Sequence, residues 1–176
     1  MVVVVYQRKD GGLSVLQPAD NVYISGSGPQ AKFKTFLDSK PEKGFRLATV
    51  REIAERDVPA GLSWKIIDDS GLPDDRYFRS AWKHDDGIVS IDMDKARNIH
   101  MDKIRKARDA ALEVLDVETL KGIDVQKEKQ VLRDLPQTVD LTKADTPDEL
   151  RAIWPEEIKD SAADIVSLNL SENMIS

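Results

Sequence analysis

The chain has 176 residues, 40% hydrophobic and 33% charged, with a formal net charge of −6. That length fits one ordinary domain or two small ones sharing a core, and the composition excludes collagen-like, low-complexity and fully disordered polymers. There is no cysteine and there are two histidines, His84 and His100, which excludes a disulfide framework, a cysteine nucleophile, thiolate metal sites and a histidine-rich metal centre.

The predicted elements begin with a β-strand over 2–6, where β-branched residues crowd together before the chain turns polar. It is too short for a signal peptide's apolar core and no basic segment precedes it, so the chain is expected to be soluble and cytoplasmic at synthesis. Asp10-Gly11-Gly12 signals a turn, and 13–16 reads as the second arm of a hairpin. A short strand follows at 22–24, then the Gly26-Ser27-Gly28 linker. Residues 31–37 are expected to form a short helix with Phe33, Phe36 and Leu37 on one side. Thr49 followed by Glu52 has the form of a capping box, which places a helix at about 50–57. Residues 63–67 read as a strand, 68–75 as a loop, 77–82 as one or two helical turns, and 88–91 as a strand after the Asp85-Asp86-Gly87 turn.

The character changes at Asp92 or Asp94, where a long helix is expected to begin. No Gly or Pro occurs from there to Val117, and apolar residues recur at Met93, Ala96, His100, Ile104, Ala107, Ala111 and Val114, the three-and-four spacing of one helical stripe. Gly122 ends this helix. A second helix is expected over 125–135, with Val125, Val131, Leu132 and Leu135 as its apolar side and Pro136 as its stop. Thr146-Pro147-Asp148-Glu149 marks a third, short helix, ending at Ile153-Trp154-Pro155. The organisation is therefore α+β: a β-rich part over 1–92, a helical hairpin with a short third helix over 93–155, and an acidic tail over 156–176.

Charge is unevenly spread. Between 135 and 176 nine acidic residues stand against three basic ones, which accounts for the whole net charge. Such a surface repels phosphate, so nucleic acid is not an expected partner; it serves solubility and the docking of a basic partner. No apolar run approaches the length that spans a bilayer, so no membrane is expected.

The candidate chemical constellations are sparse. Asp68-Asp69 and Asp74-Asp75 could bind a divalent cation or serve as paired acid–base carboxylates, but a calcium loop needs alternating ligands and a closing glutamate. They read instead as turn formers and helix caps; a metal-dependent hydrolase using this loop is the enzymatic alternative. His84 lies in a solvated turn. His100 is expected at the edge of the core, hydrogen-bonded to a neighbour. Lys103, Arg105, Lys106 and Arg108 are interleaved with Asp102, Asp109 and Glu113, which argues for intrahelical ion pairs, with arginines reaching across to Asp116 and Asp134. No metal, cofactor or catalytic set is expected.

Two segments are more specific than their composition. One is Leu72-Pro73-Asp74-Asp75-Arg76-Tyr77-Phe78-Arg79-Ser80-Ala81-Trp82. The other is the spaced set Arg105, Arg108, Leu112, Leu115 and Asp116, followed by Lys129 and Leu132-Arg133-Asp134-Leu135-Pro136, then by Thr146-Pro147, Leu150 and Trp154-Pro155. Over 62–155 the pattern resembles tail-associated structural proteins of tailed bacteriophages, of the tail-fibre-associated and tail-assembly-chaperone-like kinds. The resemblance implies a non-enzymatic virion component of the tail or its fibres, present in host cytoplasm before assembly, or alternatively an assembly chaperone absent from the particle. Its partners would be other tail, fibre or connector proteins, with several copies or a homo-oligomer in the assembly. The interaction and packing residues it singles out are Arg76, Phe78, Arg79, Trp82, Arg105, Arg108, Asp116, Arg133, Asp134, Pro136 and Trp154. In a hairpin closed at Gly122, an Arg108–Asp134 pair would fix the register of the two helices.

Overall fold

A computed structural model describes residues 1–36, 40–85 and 87–159. The fold is α+β, and the chain divides into two compact units, Met1–Asp74 with Trp82–Ser90, and Asp75–Ala81 with the residues from Ile91 onward.

The first unit is built on strands. β1 (Val2–Gln7) is the centre of a three-stranded antiparallel sheet, between β2 (Leu13–Leu16) and β6 (Trp64–Asp68). Its register pairs Val4 with both Leu16 and Ile66. Val3, Val4 and Val5 are all buried, so the valine run is a strand covered on both faces rather than an alternating one. The β1–β2 turn works as expected: Gly11 takes a φ of 78°, and the Asp10 carboxylate accepts the Gly12 N–H at 2.8 Å.

A second sheet has β3 (Val22–Ser25) between β4 (Lys32–Thr35) and β5 (Arg46–Leu47). Where a helix is expected over 31–37, a strand forms at Lys32–Thr35; Leu37 lies outside the described residues. Lys32-Phe33-Lys34-Thr35 alternates with a period of two, and Phe33 turns inward against Val22 and Ile24. A four-residue segment gains more from ladder bonds to β3 than from an isolated helical turn, whose nucleation is costly. Phe36 is edge-on to both Tyr23 and Phe45.

α1 (Val50–Asp57) carries the expected capping box. Its consecutive residues Ile53 and Ala54 face different clusters: Ile53 packs with Val22 and Ile24, and Ala54 with Val4 and Val58. β7 (Trp82–Asp85) and β8 (Ile88–Ile91) form a two-stranded ribbon, and at its turn the Gly87 N–H donates to His84 Nε2 at 3.1 Å.

The helical unit starts earlier than the composition suggests. Asp75–Ala81 packs with the helices, because Phe78 and Ala81 are members of the helical core. Of the helical turns expected over 77–82, one 3-10 turn forms, at Arg79–Ala81. α2 (Met93–Leu120) is capped by Asp92, whose carboxylate accepts the N–H groups of Asp94 and Lys95 at 3.1 Å. Gly122 ends it at a φ of 83°, with the Ile123 N–H on the Glu118 carbonyl and the Gly122 N–H on that of Thr119. This double closure needs a left-handed residue at that point, which glycine supplies without strain.

α3 (Gln126–Thr138) returns along α2. Pro136 does not stop it; the helix continues through Pro136 to Thr138. A proline this close to the C-terminus removes one backbone bond, to the Leu132 carbonyl, and the turn closes through the Val139 N–H on Leu135. α4 (Pro147–Ala152) has the full capping box of Thr146 and Glu149. The core joins Phe78, Ile104, Leu132, Leu135 and Leu150 with small alanines of α2 at 96 and 107. Glu156–Ile158, expected to begin the acidic tail, is a 3-10 turn whose Ile158 is buried in that core; the rest of the tail, 160–176, lies outside the described residues.

Two expected stripe positions face outward. Val114 is 60% exposed and Val131 47% exposed. The helical repeat of 3.6 carries the α2 seam from Ala111 to Leu115 instead of Val114, and on α3 the buried side runs through Val125, Lys129 and Leu132.

Candidate interaction surface

The structure assembles part of the predicted residue set. Phe78 and Trp154 meet around His100: the His100 ring is edge-on to Trp154 at 5.0 Å and to Phe78 at 6.3 Å between centroids. Arg76 is exposed and Arg79 half-buried. Trp82 is buried on β7 in the strand unit, and its Nε1–H has no acceptor among the described residues. Arg105 pairs with Asp102 at 2.9 Å and Arg108 with Asp109 at 2.6 Å, so the intrahelical ion pairs are present.

The arginine bridge between helices is not. Asp134 accepts from Gln130 on its own helix, and Arg133 is exposed. The cross-helix cation is Lys129, whose Nζ lies 2.8 Å from Asp116 and 2.5 Å from the Thr119 hydroxyl. Lys129 is only 5% exposed; it lies on the buried side of α3, and its ammonium is held by these two groups of α2. Its spacing from Val125 and Leu132 is the signal that would have found it, but the apolar side expected for this helix did not include it.

His100 is buried at 0% exposure, deeper than a core-edge residue. Its Nε2 lies 2.7 Å from the Ile153 carbonyl and its Nδ1 3.0 Å from the Tyr77 hydroxyl. A carbonyl only accepts, so Nε2 carries the proton, and the Tyr77 O–H donates to Nδ1. Burial holds the imidazole below its usual pKa, outweighing the Ile153 bond that favours the charged form. Both nitrogens are committed to tying the α2 core to the segments before and after it. A proton acceptor here would have to break one of those bonds, which makes this a structural histidine.

Around Tyr77 lies a cationic cluster that the sequence did not reveal. Lys103 Nζ stands 3.4 Å from the ring centroid and the Arg151 guanidinium 5.2 Å. Arg151 bonds Asp75 at 2.9 Å, and Asp75 also accepts the Tyr77 N–H. Desolvation lowers the Lys103 amine to about 8, while burial raises the Tyr77 hydroxyl above its ordinary range. These residues lie far apart in the chain and carry no common spacing. Three of the four carboxylates weighed as a cation site have structural partners: Asp68 caps the turn at Asp69–Gly71 through Ser70, Asp69 accepts from the N-terminal amine, and Asp75 holds Arg151. Among the described residues no group of His, Asp or Glu is placed to hold a metal ion, and no helix is long and apolar enough to cross a membrane.

The hairpin surface is different in kind. Its distal end exposes Val117, Leu120 and Ile123, with Leu120 at 88%. Beside it an open groove of about 630 Å³ runs between α2, α3 and the 3-10 turn at 156–158, floored by Val114, Leu115, Val131 and Leu132 and edged by glutamates. The arrangement provides apolar contact with an acidic border, and no converging nucleophile, base or acid.

Compared with known proteins, the chain matches no family model, no curated protein and no solved structure.

Proposed function

We propose that this chain is a non-enzymatic structural component of a tailed-phage virion, associated with the tail or its fibres and acting through protein–protein contacts. The observation that supports a contact role is the hairpin end, where Val117, Leu120 and Ile123 stand in solvent beside the exposed Val114 and Val131. Apolar side chains gathered on one part of a charged surface mark a binding site. The phage setting rests on the resemblance over 62–155. In this reading the β-rich part attaches to the particle, the hairpin engages neighbouring tail, fibre or connector subunits in several copies, and neither nucleic acid nor membrane is a partner.

Mass spectrometry of purified particles from a phage encoding this chain tests the proposal. The chain is expected among the stoichiometric tail proteins. Its absence from particles overturns the virion reading, and absence combined with binding to an unassembled tail protein identifies an assembly chaperone.

A further inference from the structure

We propose that the groove between α2 and α3 binds an amphipathic helix with lysine or arginine flanks, contributed by a different protein. The proposal rests on the reading of the chain as a contact protein and specifies the partner's chemistry. The floor is apolar, with Val114 and Val131 exposed and Leu115 and Leu132 beneath. Such a floor between two antiparallel helices accepts a third helix through side chains spaced at i, i+3 or i+4, and i+7.

The rim selects the charge. Among the described residues its charged lining is Glu128, Glu156 and Glu157, with no cation. Glu156 is paired with Lys159. Glu128 and Glu157 have no ion-pair or hydrogen-bond partner among the described residues. Two unpaired carboxylates edging an apolar floor favour a cationic guest, both in encounter and in orientation.

The same charges disfavour the other occupants. A second copy docking by two-fold symmetry would bring identical patches together and set each acidic rim against the other. The chain's own residues 160–176 contain Asp160, Asp164 and Glu172 and no lysine or arginine, so they would add negative charge to a negative rim.

The test uses the full chain and two synthetic amphipathic helical peptides with one leucine stripe, flanked in one by lysines and in the other by glutamates. Methyl NMR follows Val114, Leu115 and Val131 during titration. The lysine-flanked peptide is expected to shift these methyls and to bind about tenfold more tightly than the glutamate-flanked one, equivalent to about 1.4 kcal/mol. The Glu128→Lys/Glu157→Lys variant is expected to reverse that preference, and both sites are exposed, so it will fold. Equal binding of the two peptides, or no shift at these methyls, overturns the proposal. So do nuclear Overhauser contacts from Val131 to residues 160–176, or a dimer in ultracentrifugation that Val131→Glu abolishes. Absence of the chain from particles would sink the virion reading while leaving this result in place; loss of the charge preference would do the reverse.

Discussion

His100 and Lys103 sit about one helical turn apart on α2, and burial disfavours the charged form of each. His100 is neutral, with each ring nitrogen already bonded. Its pKa in the folded protein is lowered from 6.5 by burial, so below pH 6.5 the unfolded chain takes up a proton that the folded one resists. Stability is therefore full above pH 6.5 and declines as pH falls toward the folded-state value, by up to about 1.4 kcal/mol per pH unit. Urea denaturation at pH 7 and pH 5, with His100 followed by NMR, checks this; an imidazolium signal in the folded protein at pH 6 would contradict it. Lys103 is half-buried against the Tyr77 ring, and desolvation is the largest cause of its low value. NMR titration of its ε-methylene is expected to show a midpoint near 8. A midpoint near 10.4, the ordinary lysine value, would mean that the amine is solvated.

At the scale of the elements, the hairpin register depends on which cation crosses between the helices. Arginines three apart on α2 suggested that it would be one of them. They instead pair within their own helix, because a carboxylate one or three residues away costs less side-chain entropy to reach than one on a neighbour. Lys129 crosses because it is on the buried side of α3, where its charge must find an acceptor. A double-mutant cycle on Lys129 and Asp116 is expected to give about 0.5–1 kcal/mol of coupling, kept modest by the exposure of Asp116. The same cycle on Arg108 and Asp134 is expected to give none. At the other end of the chain, Thr49 carries the α1 cap alone among hydroxyls, accepting the Glu52 N–H at 3.2 Å. Thr49→Ala is expected to cost about 1 kcal/mol in chemical denaturation.

For the whole molecule, the surface that stability does not need is the surface available for binding. Leu120 and Ile123 are exposed, so Leu120→Lys and Ile123→Lys are expected to move folding stability by less than about 0.5 kcal/mol. Under the proposed virion role, a phage carrying both changes is expected to hold severalfold less of this chain per particle by quantitative mass spectrometry. Unchanged incorporation would separate the hairpin end from assembly.

Local signals settled much of this molecule in advance. The capping residues Thr49 and Thr146, the turn at Gly11, the helix end at Gly122 and the stripe through Ala96, Ile104 and Ala107 are each specified by neighbours within a few residues, so their identities suffice. The strand at 32–35 was not legible, because its partner β3 decides it and a short segment has little preference of its own. Nor was the candidate site. The cluster of Tyr77, Lys103, Asp75 and Arg151, the burial of Lys129, and the outward turn of Val114 and Val131 all depend on how segments distant in the chain come together. Composition and spacing determined the capped helices, the β1–β2 hairpin and the acid-rich end of the chain. Only the tertiary structure decided which side chains that packing leaves in solvent, because exposure belongs to a pair of surfaces and not to either one alone.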